Sequence, residues 1–193
     1  MNERLDEQKR YYAARAPEYD DWWYRRGRYE LEPDACARWW EDVAEADAAL
    51  EAFGPRGSVL ELAAGTGIWT RKLVRLADRV VAVDANPETL ALNTDEAEHV
   101  VADVFDFEPP GWFDVVFFSF WLSEGRIFLV DNNVKGDPVH KGREHVDAGV
   151  ERRRLYDGRE FDIVKHYRTP EDFPHLDLRV TANGHFIYGG GRP

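Results

Sequence analysis

Five short apolar runs divide the middle of the chain and constrain its fold more than any other feature. Helical patterns or turn residues stand between most of them, and the runs span 58–63, 80–83, 100–102, 112–118 and 127–130. Strands that are apolar throughout are buried on both faces, and their alternation with helices is typical of a parallel sheet. The sequence therefore predicts an α/β fold in this part of the chain.

The segments on either side of these runs have different patterns. Apolar residues from Trp39 to Phe53 recur at steps of three and four, which predicts an amphipathic helix that ends at Gly54. The aromatic segment 11–24 before it predicts a helix and an ordered loop that cover another part of the protein. Near the end of the chain, Asp-Gly at 157–158 and Asn-Gly at 183–184 favour tight hairpin turns, so antiparallel strands are expected there.

Length and composition limit the number of domains and the class of partner. The 193 residues predict a single domain made of a helical cover (1–54), a core (55–131) and a hairpin-rich part (132–193). The net charge of -12 would repel a nucleic-acid backbone. No signal peptide and no run of about 20 apolar residues is visible, so we expect a cytoplasmic protein that binds neither nucleic acid nor membrane. No spacing of histidines and carboxylates predicts a metal site.

The first apolar run leads into a glycine turn. The segment 61–67 reads ELAAGTG, and a helical pattern follows from Thr66 to Leu76. Glycine lets the backbone turn sharply and lets a ligand approach it, and the helix start offers free N–H groups to an anionic group. Asp84 and Asp103 follow the second and third runs, where carboxylates can accept hydrogen bonds from ribose hydroxyls and an adenine amino group. Together these features predict an adenosine site at the carboxyl edge of the sheet.

Details of the turn separate two kinds of adenosine cofactor. A dinucleotide fingerprint requires a third glycine, and Thr70 stands at that position. Four segments instead resemble, in order and spacing, the motifs of the class I S-adenosylmethionine (SAM)-dependent methyltransferases: 59–69, 81–87, 102–105 and 113–119. The resemblance implies SAM as the cofactor. It also implies a Rossmann-like sheet, mostly parallel with antiparallel C-terminal strands and with helices on both faces.

The same resemblance implies a set of cofactor-binding residues. The glycine turn would hold the methionine part of SAM, residues 84–85 the ribose and residues 103–104 the adenine, and Ser119 would lie at the reacting end. Tyrosines of the N-terminal segment would close over the cofactor. The full set is Tyr11, Tyr12, Tyr19, Glu61, Ala63, Gly65, Thr66, Gly67, Asp84, Ala85, Asp103, Val104 and Ser119. Purely structural roles are open as well, such as Glu61 orienting the turn, Asp84 capping a helix and Tyr11 packing.

The methyl acceptor is less constrained than the cofactor. The apolar residues Phe120 and Trp121, together with the aromatic cover, favour a small apolar or aromatic acceptor that reacts through oxygen or nitrogen. None of the six histidines is identifiable as a general base. Two alternatives stay open: a non-catalytic protein that binds adenosyl ligands and, less favoured, a nicotinamide-dependent oxidoreductase.

One connection departs from the pattern of the family. Only the segment from Ser123 to Arg126 separates the fourth and fifth runs, whereas parallel neighbours usually need a crossover of about ten to twelve residues. In order of preference, residues are absent from the sequence, a partner subunit such as the second copy of a homodimer covers this face, or the two strands form an antiparallel hairpin. The helix start at Thr169 is similarly short, so we expect one face of the sheet to be depleted of helices. We expect the sheet face beside the short connection to be covered, because wetting its apolar side chains would forgo several kcal/mol.

Overall fold

The computed structural model describes residues 3–104, 106–118, 126–133, 143–147, 149–165 and 167–191. Its α-helices are α1 (Glu3–Arg15), α2 (Tyr19–Trp23), α3 (Pro33–Phe53), α4 (Thr70–Leu76) and α5 (Pro87–Leu90). Its strands are β1 (Ser58–Leu62), β2 (Arg79–Asp84), β3 (Glu98–Val101), β4 (Val115–Phe118), β5 (Arg126–Asn132), β6 (Arg143–Asp147), β7 (Val150–Arg154), β8 (Glu160–Val164), β9 (Asp177–Val180) and β10 (Phe186–Gly191). None of the described helices is both long and apolar enough to cross a membrane.

Seven strands form one sheet in the order β3-β2-β1-β4-β5-β10-β9. The first five run parallel, and β10 pairs antiparallel with both β5 and β9. This confirms the predicted Rossmann-like sheet with antiparallel C-terminal strands. The two hairpins predicted from Asp-Gly and Asn-Gly are present as β7–β8 and β9–β10.

Helices α2, α3 and α4 cover one face of the large sheet. The helix α3 buries Trp39, Ala46 and Leu50 against strand residues such as Phe128. It ends at Gly54, whose φ of 62° is accessible to glycine without a steric penalty. This is the amphipathic helix predicted from the apolar spacing, and it brings the N-terminal part of the chain onto the core.

Strands and connecting segments make up the apolar cluster on the opposite face. Leu60, Val81 and Val116 of the sheet pack there with Leu176, and Phe107, Phe113 and Phe173 lie against them. No described α-helix contributes a residue to this cluster. The expected depletion of helices on one face is therefore present in the described part of the chain.

The strands β4 and β5 are parallel neighbours, with Phe117 opposite Phe128. The antiparallel-hairpin explanation of the short connection is therefore wrong. Residues 119–125, which join the two strands, lie outside the described residues. They include the predicted site residue Ser119, and Phe120 and Trp121, from which the nature of the acceptor was inferred. All eight side chains expected to need a cover are buried within the single chain: Val115, Val116, Phe117, Phe118, Ile127, Phe128, Leu129 and Val130. A partner subunit is therefore not needed to bury these side chains, and the missing-residue and partner explanations of the short connection stay untested predictions.

Two predicted element boundaries are also corrected. The helix after the glycine turn begins at Thr70 rather than Thr66, because Gly65 and Gly67 adopt left-handed φ values of 56° and 87° and the turn continues past them. The strand β4 begins at Val115 rather than at Trp112, which is 94% exposed. An exposed indole cannot belong to a strand that is buried on both faces.

A second, three-stranded sheet has the order β6-β7-β8 and packs against α1. Tyr11 of α1 is buried there with Leu155 and Ile163. The backbone N–H of Asp162 donates a hydrogen bond of 3.1 Å to a carboxylate oxygen of Glu7. The small sheet therefore fixes the N-terminal helix, and its first strand, β6, has no counterpart in the sequence-based prediction.

Candidate active site

The glycine turn follows β1 and has an unusual backbone. Ala63 and Gly65 both have positive φ values, of 55° and 56°. A Cβ placed on Gly67 would lie 2.5 Å from the side-chain oxygen of Asn93, so only glycine fits there. A Cβ placed on Gly65 would meet nothing within 4 Å. The space in front of Gly65 is thus open, as a ligand-binding turn requires.

Asp84, at the end of β2, holds this turn in place. One carboxylate oxygen accepts a 2.8 Å hydrogen bond from the N–H of Gly65, and the other accepts one of 2.8 Å from the N–H of Asn86. The residue is only 8% exposed. Because each carboxylate oxygen can accept more than one hydrogen bond, Asp84 still has acceptor capacity for a ligand hydroxyl.

Glu61 lies beneath the turn and is 2% exposed. The hydroxyl of Thr70 donates a 2.6 Å hydrogen bond to its Oε2, and Asn93 donates one of 2.8 Å to the same hydroxyl. Burial raises the pKa of Glu61 to about 8, and the nearby carboxylates of Asp95 and Asp84 act in the same direction, against the hydrogen bond from Thr70. The predicted orienting role of Glu61 is therefore compatible with its hydrogen bonds.

A cavity of about 660 Å³, including its open mouth, begins at the glycine turn and extends to the end of β5. Polar residues on its wall are Glu61, Thr66, Asp131 and Asn132. Its other lining residues are mostly aromatic or small: Tyr19, Trp22, Trp23, Leu62, Ala63, Ala64, Gly65, Ile68, Trp69, Phe117, Val130 and Phe186. The cavity therefore brings together Tyr19, Glu61, Ala63, Gly65 and Thr66 from the predicted set.

The N-terminal segment is fastened to the glycine turn by side-chain hydrogen bonds. The hydroxyl of Thr66 donates one of 2.5 Å to Asp20, and the guanidinium of Arg71 donates one of 2.5 Å to the hydroxyl of Tyr24. These bonds place α2 over the turn and Tyr19 in the cavity wall. Tyr19 therefore lines the cavity, and its contact with the cofactor stays a prediction.

Tyr11 and Tyr12 do not line this cavity. Tyr11 is 2% exposed and packs against the small sheet, with its ring 5.6 Å from that of Phe161. The ring of Tyr12 lies between those of Tyr11 and Tyr19, at 5.1 Å and 6.3 Å. Their immediate role is thus to support Tyr19 and α1, and a contact with the cofactor stays a prediction.

The residues assigned to the adenosine lie beside this cavity along the strand ends. Asp84 bonds directly to Gly65, and Ala85 is the next residue after β2. Asp103, two residues after β3, forms a 2.6 Å ion pair with Lys9 of α1. Val104 follows it in a half-buried position. The helix α1 therefore lies close to the place predicted for the adenine.

Asp131 and Asn132 at the end of β5 were missed by the sequence analysis. Asp131 is 5% exposed, and its carboxylate accepts a 2.6 Å hydrogen bond from the N–H of Asn132. The available signal was an acidic residue directly after the apolar run 127–130. Among the described residues, no group of three or more histidine, cysteine or acidic side chains could hold a metal ion.

These features define a class of protein: an α/β fold with a glycine turn and a carboxylate at the ends of adjacent parallel strands binds an adenosyl cofactor. A sequence profile described as "Methyltransferase domain" matches residues 59–127. Comparison with curated proteins gives no match.

Solved structures match a larger part of the chain than this profile does. The DhpI complex with SAM and HEP is 31% identical, with 98% of each chain covered and a TM-score of 0.73. The DhpI complex with SAH is 32% identical, with 98% of this chain and 97% of that chain covered and a TM-score of 0.68. The 1,6-didemethyltoxoflavin-N1-methyltransferase of Burkholderia thailandensis is 16% identical over 98% of this chain and 88% of that chain, with a TM-score of 0.54, and shares the fold.

The chain belongs to the class I SAM-dependent methyltransferases. It is therefore an enzyme that uses SAM, and the nicotinamide and non-catalytic alternatives fall away. The geometry fits this cofactor, because the open space at Gly65 and the acceptor capacity of Asp84 stand where the methionine part and the ribose are expected.

Proposed function

We propose that the protein transfers the methyl group of SAM to a small apolar or aromatic molecule, through an oxygen or nitrogen atom of that acceptor. The observation that carries the proposal is the cavity that continues from the glycine turn to the end of β5. Trp22, Trp23, Trp69, Phe117 and Phe186 line it. Aromatic walls with a few polar groups are typical of sites for small organic ligands.

We propose that SAM is held by the glycine turn, Glu61, Asp84 and Asp103, with Tyr19 closing over it. Bound SAM supplies an electrophilic methyl group on a positively charged sulfur. The task of the chain is then to exclude water and to hold the acceptor in line. The tryptophans of the wall serve the first purpose, and Asp131 and Asn132 are the polar groups available for the second.

We propose Asp131 as the residue that takes up the proton of the acceptor. Burial raises the pKa of Asp131 to about 6, although Lys165, the N–H of Asn132 and Arg168 each favour the carboxylate. A carboxylate with this pKa is ionised at pH 7 and is a stronger base than an exposed one. As the acceptor oxygen or nitrogen gains a methyl group, its proton passes to this carboxylate.

The test is a methyl-transfer screen with radiolabelled SAM against small phenols, aromatic amines and carboxylic acids. We expect at least one aromatic acceptor to be methylated by the wild type and none by Gly65→Val. With that acceptor, Asp131→Asn should lower kcat by about 10²-fold or more. It should also remove the fall in rate below about pH 6 that protonation of Asp131 gives the wild type. Methylation of macromolecules alone, or SAM binding without transfer to any small molecule, would contradict the proposal.

A further inference from the structure

We propose that binding of SAM displaces a proton from Glu61 to the solvent, so that the affinity of this protein for SAM is set by the ionisation of one buried carboxyl group. The inference depends on SAM binding, which the family establishes, and is independent of the identity of the acceptor. It gives Glu61 a second task beyond orienting the glycine turn.

The position of Glu61 is the first support. The residue lines the cavity at the glycine turn and is 98% buried, with 2% exposure. Its Oε2 accepts the hydrogen bond from Thr70, and its Oε1 accepts none from the described residues. A buried carboxylate with a single neutral donor is poorly stabilised, so the uncharged acid is favoured while the cavity contains no cation.

The charges around Glu61 are the second support. The negative charges of Asp84 in β2 and of Asp95, in the segment after α5, both disfavour the ionisation of Glu61. Arg71 of α4 is engaged elsewhere: its guanidinium donates to the carbonyl of Gly67 and the hydroxyl of Tyr24, and lies 3.9 Å from Asp95. Asp20 of the cover accepts from Thr66. No described cationic side chain lines the cavity.

SAM provides the positive charge that the described side chains of the cavity wall do not provide. SAM carries a sulfonium and an α-ammonium group, and a positive charge in a buried acidic cavity favours the carboxylate over the acid. The carboxyl O–H bond of Glu61 therefore breaks on binding, and the proton passes to buffer while SAM neutralises the carboxylate. The raised pKa of Glu61, about 8, is the expected property of such a group in the free protein.

The sign of the pH dependence follows from this linkage. Below the pKa of the free protein, SAM must displace the proton, so affinity increases by up to about tenfold per pH unit. Above that pKa the carboxyl is already ionised, and its contribution to the pH dependence ends. The α-ammonium group of SAM itself titrates near pH 8. A variant that lacks the Glu61 carboxyl is therefore the necessary comparison.

The experiment is calorimetric titration of the full chain with SAM at pH 7.0, in buffers that differ in ionisation enthalpy. We expect the wild type to release about one proton per SAM and Glu61→Gln to release none. Glu88→Gln removes an exposed carboxyl group of α5 and should release as many protons as the wild type. Zero release by the wild type, or equal release by Glu61→Gln, would overturn the inference.

A second variant keeps the test decisive if Glu61→Gln does not fold. Asp95→Asn removes one negative charge that faces Glu61, so the pH range of proton release should shift to lower values. An unchanged range would contradict the role of Glu61. Failure of the wild type to bind SAM at any pH would instead contradict the assignment of the cofactor.

Discussion

Asp84 connects two functions that the sequence alone suggested separately. Its carboxylate accepts hydrogen bonds from Gly65 and Asn86, so it fixes the glycine turn and the start of α5. We propose that the same group also binds the ribose of the cofactor. Asp84 is not itself the N-cap of α5, which is Asn86, and its role in holding the turn does not exclude ligand binding.

We predict that Asp84→Ala weakens SAM binding by about 1 to 3 kcal/mol, because the ribose hydroxyls and the turn lose a charged acceptor. Calorimetry measures the change. Glu88→Ala is the matched control, since it removes an exposed carboxylate from α5 nearby and should leave the affinity unchanged. An Asp84→Ala protein that binds as tightly as the control would refute the assignment.

The glycine turn and Asp84 were predictable because their roles depend on local sequence: positive φ values require glycine, and a strand end fixes where its last carboxylate lies. Asp131 follows an apolar run in the same way, but its significance comes from its burial in the cavity wall, which the local sequence does not show. Tyr11 was noticed in the sequence, but its role could not be predicted from it. Its aromatic character was visible in the sequence, but its packing against β8 depends on a sheet more than a hundred residues away.

The helix α3 and the C-terminal hairpin β9–β10 are joined by one buried carboxylate. Asp42 is fully buried and accepts hydrogen bonds from the hydroxyl of Thr181 and from the backbone N–H groups of Asn183 and His185. The Nδ1 of His185 lies 2.7 Å from the same carboxylate. Burial raises the pKa of Asp42, but these hydrogen bonds outweigh it, so the pKa lies below its ordinary value.

We predict that Asp42→Asn lowers the free energy of unfolding by about 2 to 4 kcal/mol at pH 7, because buried donors lose a charged acceptor. Since the pKa of Asp42 is lowered in the folded state, this stabilisation is present above about pH 4 and is lost as pH falls through the folded pKa. Urea unfolding at pH 7 and pH 3 measures it, with Glu51→Gln on the exposed side of α3 as control. If Asp42→Asn lowered the free energy of unfolding as much at pH 3 as at pH 7, the negative charge of Asp42 would not be the source of the stabilisation.

Local signals predicted α3 and the two hairpins, because helix periodicity and the turn residues Asp157–Gly158 and Asn183–Gly184 act over a few residues. They failed at Trp112, where an apolar residue before β4 is exposed. They also failed to distinguish a parallel from an antiparallel pairing of β4 and β5. That pairing depends on tertiary contacts, since β5 lies between β4 and the distant β10.

The chain largely buries both faces of the central strands β1, β2, β4 and β5 with its own residues, whereas the edge strands β3 and β9 are mostly exposed. The C-terminal β10 pairs with β5 of the core, and Phe173 and Leu176 pack on the face that lacks described helices. We therefore propose that the predicted cover, core and hairpin-rich part form one domain. The burial of the β4 and β5 side chains within one chain removes the main reason to expect a homodimer.

We predict a monomer in dilute solution, with a light-scattering mass of 22.3 kDa. The physical reason is that the most apolar strands are already withdrawn from water, so dimer formation would bury little further apolar surface there. Intact mass spectrometry of the same sample provides the reference mass. A light-scattering mass of twice the chain mass would show that a second copy covers part of the surface.

We expect SAM to bind in the open space at Gly65. Calorimetric titration of the wild type, Gly65→Val and Gly158→Val with SAM tests it most directly, with circular dichroism to confirm folding. Gly65 and Gly158 both have positive φ values and open space at Cβ, but Gly158 lies on the β7–β8 turn away from the cavity. We expect the wild type and Gly158→Val each to bind one SAM per chain and folded Gly65→Val to bind none. Unimpaired binding of SAM by Gly65→Val would contradict this expectation.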